Sequence, residues 1–133
     1  MIPVQLARSL RTAGLTWLPA AGDRFIIDQP DLQEQSFFLS DLTVDLHSFR
    51  GEQLLGFNGT VEWALDSVTV DQALWLPHEH QLRDALGPAF SRLEARDGGR
   101  IRVVVVVDGA PMEFDDEDAA TAYGRALLHA LTR

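Results

Sequence analysis

Asn58-Gly59 lies between two apolar runs in Leu54-Leu55-Gly56-Phe57-Asn58-Gly59-Thr60-Val61-Glu62-Trp63-Ala64-Leu65, and it constrains the fold more than any other feature of the chain. A two-residue type I′ turn needs positive φ at both central residues, which Asn and Gly tolerate best. With that turn as the loop, Phe57 faces Thr60, Gly56 faces Val61, Leu55 faces Glu62 and Leu54 faces Trp63. Opposed residues share a sheet face, so Leu54, Val61, Trp63 and Leu65 fall on one side and Glu62 on the other. The reading is a central β-hairpin with Trp63 turned into a core.

The 133 residues match the commonest single-domain size, so one domain spanning 1–133 is expected. No internal repeat, linker or low-complexity segment interrupts it. The chain has no cysteine, which excludes disulfides, thiolate metal sites and a cysteine nucleophile. All 11 basic residues are arginine, against 20 acidic ones, for a net charge of -9. Such a chain lacks the basic footprint of nucleic-acid binding and is repelled by anionic membranes. The first residues carry no secretory pattern, and the longest apolar run, Val103 to Val107, cannot span a bilayer. A cytoplasmic location is expected.

Along the chain, Pro3 to Ala13 reads as a helix closed by Gly14. Ala20-Ala21-Gly22-Asp23 reads as a turn, Arg24 to Ile27 as a strand and Asp28 to Glu34 as a loop. Ser36 to Phe49 alternates as one long strand, with Phe38, Leu42, Val44 and Leu46 opposite Asp41, Thr43, Asp45 and His47. Asp66 to Asp71 fits either a strand extension or a turn. Pro77 to Leu86 reads as a second helix. Phe90 to Ala95 and Arg100 to Val107 form a second hairpin, whose valine run suggests cover on both faces. Asp108 to Pro111 reads as a turn, Met112 to Phe114 as a brief strand and Asp115 to Leu131 as a closing amphipathic helix.

The segments Gly22-Asp23-Arg24-Phe25, Asp41 to His47, Gly56 to Val68, Leu74-Trp75-Leu76-Pro77 and Gln81-Leu82 resemble a family of short bacterial proteins of unknown role. That family is found mainly in high-GC Gram-positive organisms, and its members often carry a pilus-assembly label. The resemblance implies an α+β fold and supplies no activity. The label implies an ATPase, which needs a phosphate-binding loop ending in Gly-Lys-Ser/Thr. This chain has neither that loop nor a lysine.

Five sets of residues are candidates for chemistry. Asp41, Asp45 and His47 share one face of a strand, a donor set suited to a divalent cation. Alternate strand residues lie roughly 6.5–7 Å apart, so a solvated polar face is the plainer explanation. Trp17, Phe49, Phe57 and Trp75 could line a groove for a partner or ligand, against a simpler role in packing. His78 and His80 resemble a metal pair, but i and i+2 diverge on a helix and converge only on extended backbone. Glu62 and Asp66, about 13 Å apart along a strand, are too distant for a glycosidase pair. Asp115 to Asp118 complements a helix N-terminus better than it fits a calcium loop. No nucleophile elbow or dinucleotide fingerprint is present, so no catalytic residue and no organic cofactor are expected.

The expected fold is α+β, a mainly antiparallel sheet of about five to six strands with N-terminal, middle and C-terminal helices. The expected function is non-enzymatic: a small interaction or regulatory domain with a protein partner or self-association, and no nucleic acid or membrane. The alternative is a divalent-metal-binding protein or metal-dependent hydrolase built on Asp41, Asp45 and His47.

Overall fold

The computed structural model describes the backbone of residues 1–39, 44–49, 52–57 and 67–133, and the side chains of 1–39 and 71–133. The fold is α+β, and the strand pairing among the described residues is antiparallel. Among those residues the expected single sheet is instead three three-stranded sheets. The chain forms two compact units, one from 1–16 with 77–133 and one from 17–76. No helix among the described residues is long and apolar enough to cross a membrane.

In the 17–76 unit, β1 (Arg24–Ile27) runs between β2 (Ser36–Phe38) and β6 (Ala73–Trp75). Phe25 pairs with Phe37 on one side and Trp75 on the other. Phe25, Ile27, Leu39 and Ala73 form a buried cluster, with Trp17, Leu32 and Phe37 packed against it. A second sheet joins β3 (Val44–Phe49), β4 (Glu52–Phe57) and β5 (Ser67–Thr69).

The long strand expected over 36–49 is therefore two strands in different sheets. Period-2 alternation is a property of any strand, so it continues across such a change and does not say which sheet each part joins. The expected hairpin register is also corrected. Leu54, Leu55 and Gly56 pair with Thr69, Val68 and Ser67 rather than with Trp63, Glu62 and Val61. By register, Leu54 shares the face of Asp45, His47, Glu52 and Thr69, while Leu55 shares that of Leu46 and Val68. The Asn58-Gly59 turn itself and Trp63 lie outside the described residues.

In the other unit, α1 (Val4–Thr12) ends in a Schellman motif: Gly14, at φ 112°, donates its N–H to the Arg11 carbonyl and Leu15 donates to that of Leu10. Helix α2 (Glu79–Leu86) starts after His78, whose N–H is accepted by Gln81 Oε1 at 2.8 Å. Strands β7 (Phe90–Ala95), β8 (Ile101–Val107) and β9 (Ala110–Asp116) form a meander, and α3 (Ala119–Leu131) follows.

The positive-φ pair that a type I′ turn demands is found here, at Asp108 (φ 53°) and Gly109 (φ 78°), between the paired residues Val107 and Ala110. That tight turn lengthens β9 beyond the brief strand expected. Helix α3 packs on the sheet, with Phe114 against His129 and Phe90 against Tyr123 at 5.7 and 5.8 Å between ring centroids. Val103, Val104 and Val105 are buried, as the valine run suggested, but Val106 is 40% exposed.

Helix α3 begins at Ala119 rather than Asp115, because the acidic run is divided between two tasks. Asp115 belongs to β9 and binds Arg102 on β8 in a two-pronged ion pair of 2.7 and 3.0 Å. Asp118 caps the helix, accepting from the Thr121 N–H at 3.2 Å and its hydroxyl at 2.7 Å.

This charge pattern makes the unit acid-sensitive. The hydrogen bond from Arg102 holds Asp115 below its ordinary value, and that from Arg92 does the same for Glu94. Burial opposes ionisation of Asp118, but its bonds to Thr121 and the terminal amine outweigh it and leave that carboxyl lowered too. Carboxyls lowered by folding bind fewer protons than in the unfolded chain. Their contribution is complete above the unfolded values and is lost as pH falls through the folded ones. The melting temperature followed by far-UV circular dichroism is expected to drop between about pH 5 and pH 3, less steeply at high salt. A flat profile over that interval would contradict the assignment.

Candidate functional site

The site grows from the segment joining α1 to β1. Ala20 to Asp23 form a type II turn: Asp23 donates its N–H to the Ala20 carbonyl at 3.1 Å, and Gly22 supplies the positive φ of 91° at the third position. The turn sends the Asp23 carboxylate inward, where the residue is only 4% exposed. Its Oδ2 accepts from the Trp17 indole at 2.8 Å and from the Ala20 N–H at 3.0 Å. One buried carboxylate thus closes the loop and fixes the plane of an indole. Gly22 and Asp23 are also tied to Leu39, through Gly22 N–H to the Leu39 carbonyl and Leu39 N–H to the Asp23 carbonyl.

Trp17, so held, stacks on Trp75 with ring centroids 6.4 Å apart and planes 9° from parallel. It also meets Phe25 at 5.7 Å, and Phe25 meets Phe37 at the same distance. Both indoles are half-buried. The Trp75 Nε1 is buried and has no acceptor among the described residues, an arrangement that native interiors rarely keep. Nearby in the chain, Leu18 is 83% exposed and Phe38 is 55% exposed, with the Arg24 guanidinium 4.9 Å above the Phe38 ring.

No family model, curated protein or solved structure matches this chain.

Of the expected groove, the structure brings Trp17 and Trp75 together. Phe49 and Phe57 sit in the other sheet of the unit, with their side chains outside the described residues. By register they fall on opposite faces, Phe49 with His47 and Phe57 with Val44 and Leu46. The pairing geometry thus separates positions that sequence reading had grouped. Of the metal set, Asp45 and His47 occupy alternate positions of β3, and Asp41 lies outside the described residues.

His78 and His80 do not diverge as helical spacing implied. Their rings lie 5.7 Å apart and 15° from parallel, because His78 is the extended residue before the helix, at φ −73° and ψ 162°. Among the described residues no group of three His, Cys, Asp or Glu could hold a metal, so this pair finds no third protein ligand there.

Sequence reading missed Asp23, Phe25 and Phe37 as parts of the site. The available signal was an Asp closing an Ala-Ala-Gly turn six positions after a tryptophan. Such a carboxylate either faces water or finds a donor inside, and the indole N–H is the donor in reach.

Proposed function

We propose that this chain is a non-enzymatic cytoplasmic interaction domain, and that the Trp17–Trp75 platform meets an apolar, basic segment of a protein partner. The stacked, half-buried indole pair carries this reading. Tryptophan offers a large rigid surface at little entropic cost and dominates binding hot spots. The charge of the partner follows from the surroundings. Leu32, packed on the same cluster, belongs to a loop containing Asp28, Asp31 and Glu34, and the whole chain carries -9. Arginine or lysine beside an apolar side chain complements both the acidic loop and the indole faces.

The test is tryptophan fluorescence titrated with two synthetic peptides, one alternating leucine with arginine and one alternating leucine with glutamate. The basic peptide is expected to shift the emission and the acidic one to leave it unchanged. Leu18→Ser, which removes an exposed apolar side chain without adding charge, is expected to weaken the basic peptide at least about tenfold. Equal response to both peptides, or none to either, would refute the proposal.

A second reading rests on register: positions 45, 47 and 52 share one face of the β3–β4 pair. On it, Asp45 and His47 with Asp41 bind a divalent cation. Calorimetry with Mg²⁺, Mn²⁺ and Zn²⁺ that gives neither heat nor a melting shift would end that reading.

A further inference from the structure

The meander β7-β8-β9 has two free edges among the described residues, and they are built differently. On β9, the two-residue turn puts the Val107–Ala110 pair in hydrogen-bonded phase, so Pro111, Glu113 and Asp115 are the residues whose backbone faces away from β8. Pro111 has no N–H to offer there. The Asp115 carbonyl is already taken by Arg125 at 2.8 Å and Arg100 at 3.3 Å. Proline, acidic side chains and occupied carbonyls are how an edge is closed to strand addition.

Edge β7 has no proline, and its one acidic residue, Glu94, turns its backbone toward β8. The Arg96 N–H donates to the Arg100 carbonyl at 2.8 Å, which sets the phase: Glu94 and Arg92 bond to β8, while Leu93 and Ala95 direct N–H and C=O outward. Leu93 is 42% exposed, and Ser91 to Leu93 and Ala95 are all exposed. The register shift between Phe90 and Arg92 limits the regular edge to its second half.

We infer that β7 pairs antiparallel with β7 of a second copy of this chain, about a two-fold axis through Leu93. The order Arg92-Leu93-Glu94 is self-complementary about that axis, as an isologous contact requires. Leu93 meets its counterpart in a hydrogen-bonded pair, and each Arg92 lies opposite the other copy's Glu94. Within its own chain Glu94 already pairs with Arg92 and Arg96, so the contact brings a third guanidinium to each carboxylate. Shifting the axis to lie between Leu93 and Ala95 would oppose Glu94 to Glu94 and Arg92 to Arg96, so charge selects the register. The two meanders then form one continuous six-stranded sheet. The surface is remote in sequence from the indole platform, and the inference does not depend on that reading.

The test is sedimentation of the full chain across a concentration series, with Arg92→Glu and Glu94→Arg examined singly and mixed. The wild type is expected to dimerise reversibly. Arg92→Glu opposes two glutamates and Glu94→Arg two arginines, so each alone weakens the dimer at least about tenfold. An equimolar mixture of the two is expected to recover association. In the mixed dimer the glutamate introduced in one copy faces the arginine introduced in the other, and the remaining native Glu94 faces the remaining native Arg92. Pairing within one chain gives no such recovery, which separates the dimer contact from a structural role. A wild type that stays monomeric to about 1 mM, single variants that associate normally, or a mixture that does not recover would each overturn the inference.

Discussion

Phe25→Ala is expected to destabilise the 17–76 unit by about 3–5 kcal/mol, the range for emptying a fully buried aromatic site. Phe25 is 0% exposed. It occupies the central strand of its sheet, with register partners on both sides, and its ring touches those of Trp17 and Phe37. Removing it leaves a void whose walls are held by backbone pairing and cannot readily collapse. A loss of that size is a large share of the ~5–15 kcal/mol that holds an ordinary domain together. The readout is favourable because the three tryptophans are Trp17, Trp63 and Trp75, all within 17–76. Urea unfolding followed by tryptophan fluorescence therefore reports this unit, and its midpoint should fall sharply. Phe25→Leu, which keeps most of the volume, should lose much less. An unchanged midpoint for Phe25→Ala would show that the ring does not carry the cluster.

Asp23→Ala is expected to cost about 2–6 kcal/mol, since two donors lose their acceptor at ~1–3 kcal/mol each. These are the Trp17 indole and the Ala20 N–H. The effect should be local and visible: the indole N–H resonance of Trp17 should move, and tryptophan emission should shift to the red as the ring leaves its stack on Trp75. Asp23→Asn keeps an oxygen in place and removes only the charge, so it should recover part of the loss. If Asp23→Asn proved as damaging as Asp23→Ala, the charge rather than the acceptor geometry would be the main factor. If neither variant altered the Trp17 resonance, Asp23 would not be what orients the platform.

Helix ends were legible in the sequence wherever a single residue type met a single backbone demand. Gly14 and Gly87 end α1 and α2 close to where they were placed, and Asp118 serves as an N-cap from within an acidic run read as such. The hairpin across 96–99 was equally legible from its glycines and flanking alternation. The same turn logic, applied to Asn58-Gly59, paired Leu54 with Trp63, whereas the partner of Leu54 is Thr69. A tight-turn dipeptide permits a close reversal but does not compel the strands beyond it to use that register. The nearness of Trp17 and Trp75 was legible, because each precedes a Leu-Pro pair at an element end. The placing of Phe49 and Phe57 was not, since they were grouped by composition and only the β3–β4 register reveals that they fall on opposite faces.

The sequence alone determined those properties that depend on a few adjacent residues. These are the α+β class, the glycines that end α1 and α2, the hairpin across 96–99 and the exclusion of thiol and phosphate-loop chemistry. Tertiary structure decided which strands became neighbours, dividing one expected sheet into three and carrying β6 back to β1 across most of the unit. It also decided that a carboxylate in an ordinary turn would face inward and hold an indole. Local preferences act through a few bonds and favour an element wherever it lies. Choosing between distant partners depends instead on burying apolar area together while leaving no polar group unmatched, and that balance exists only once the chain has closed on itself.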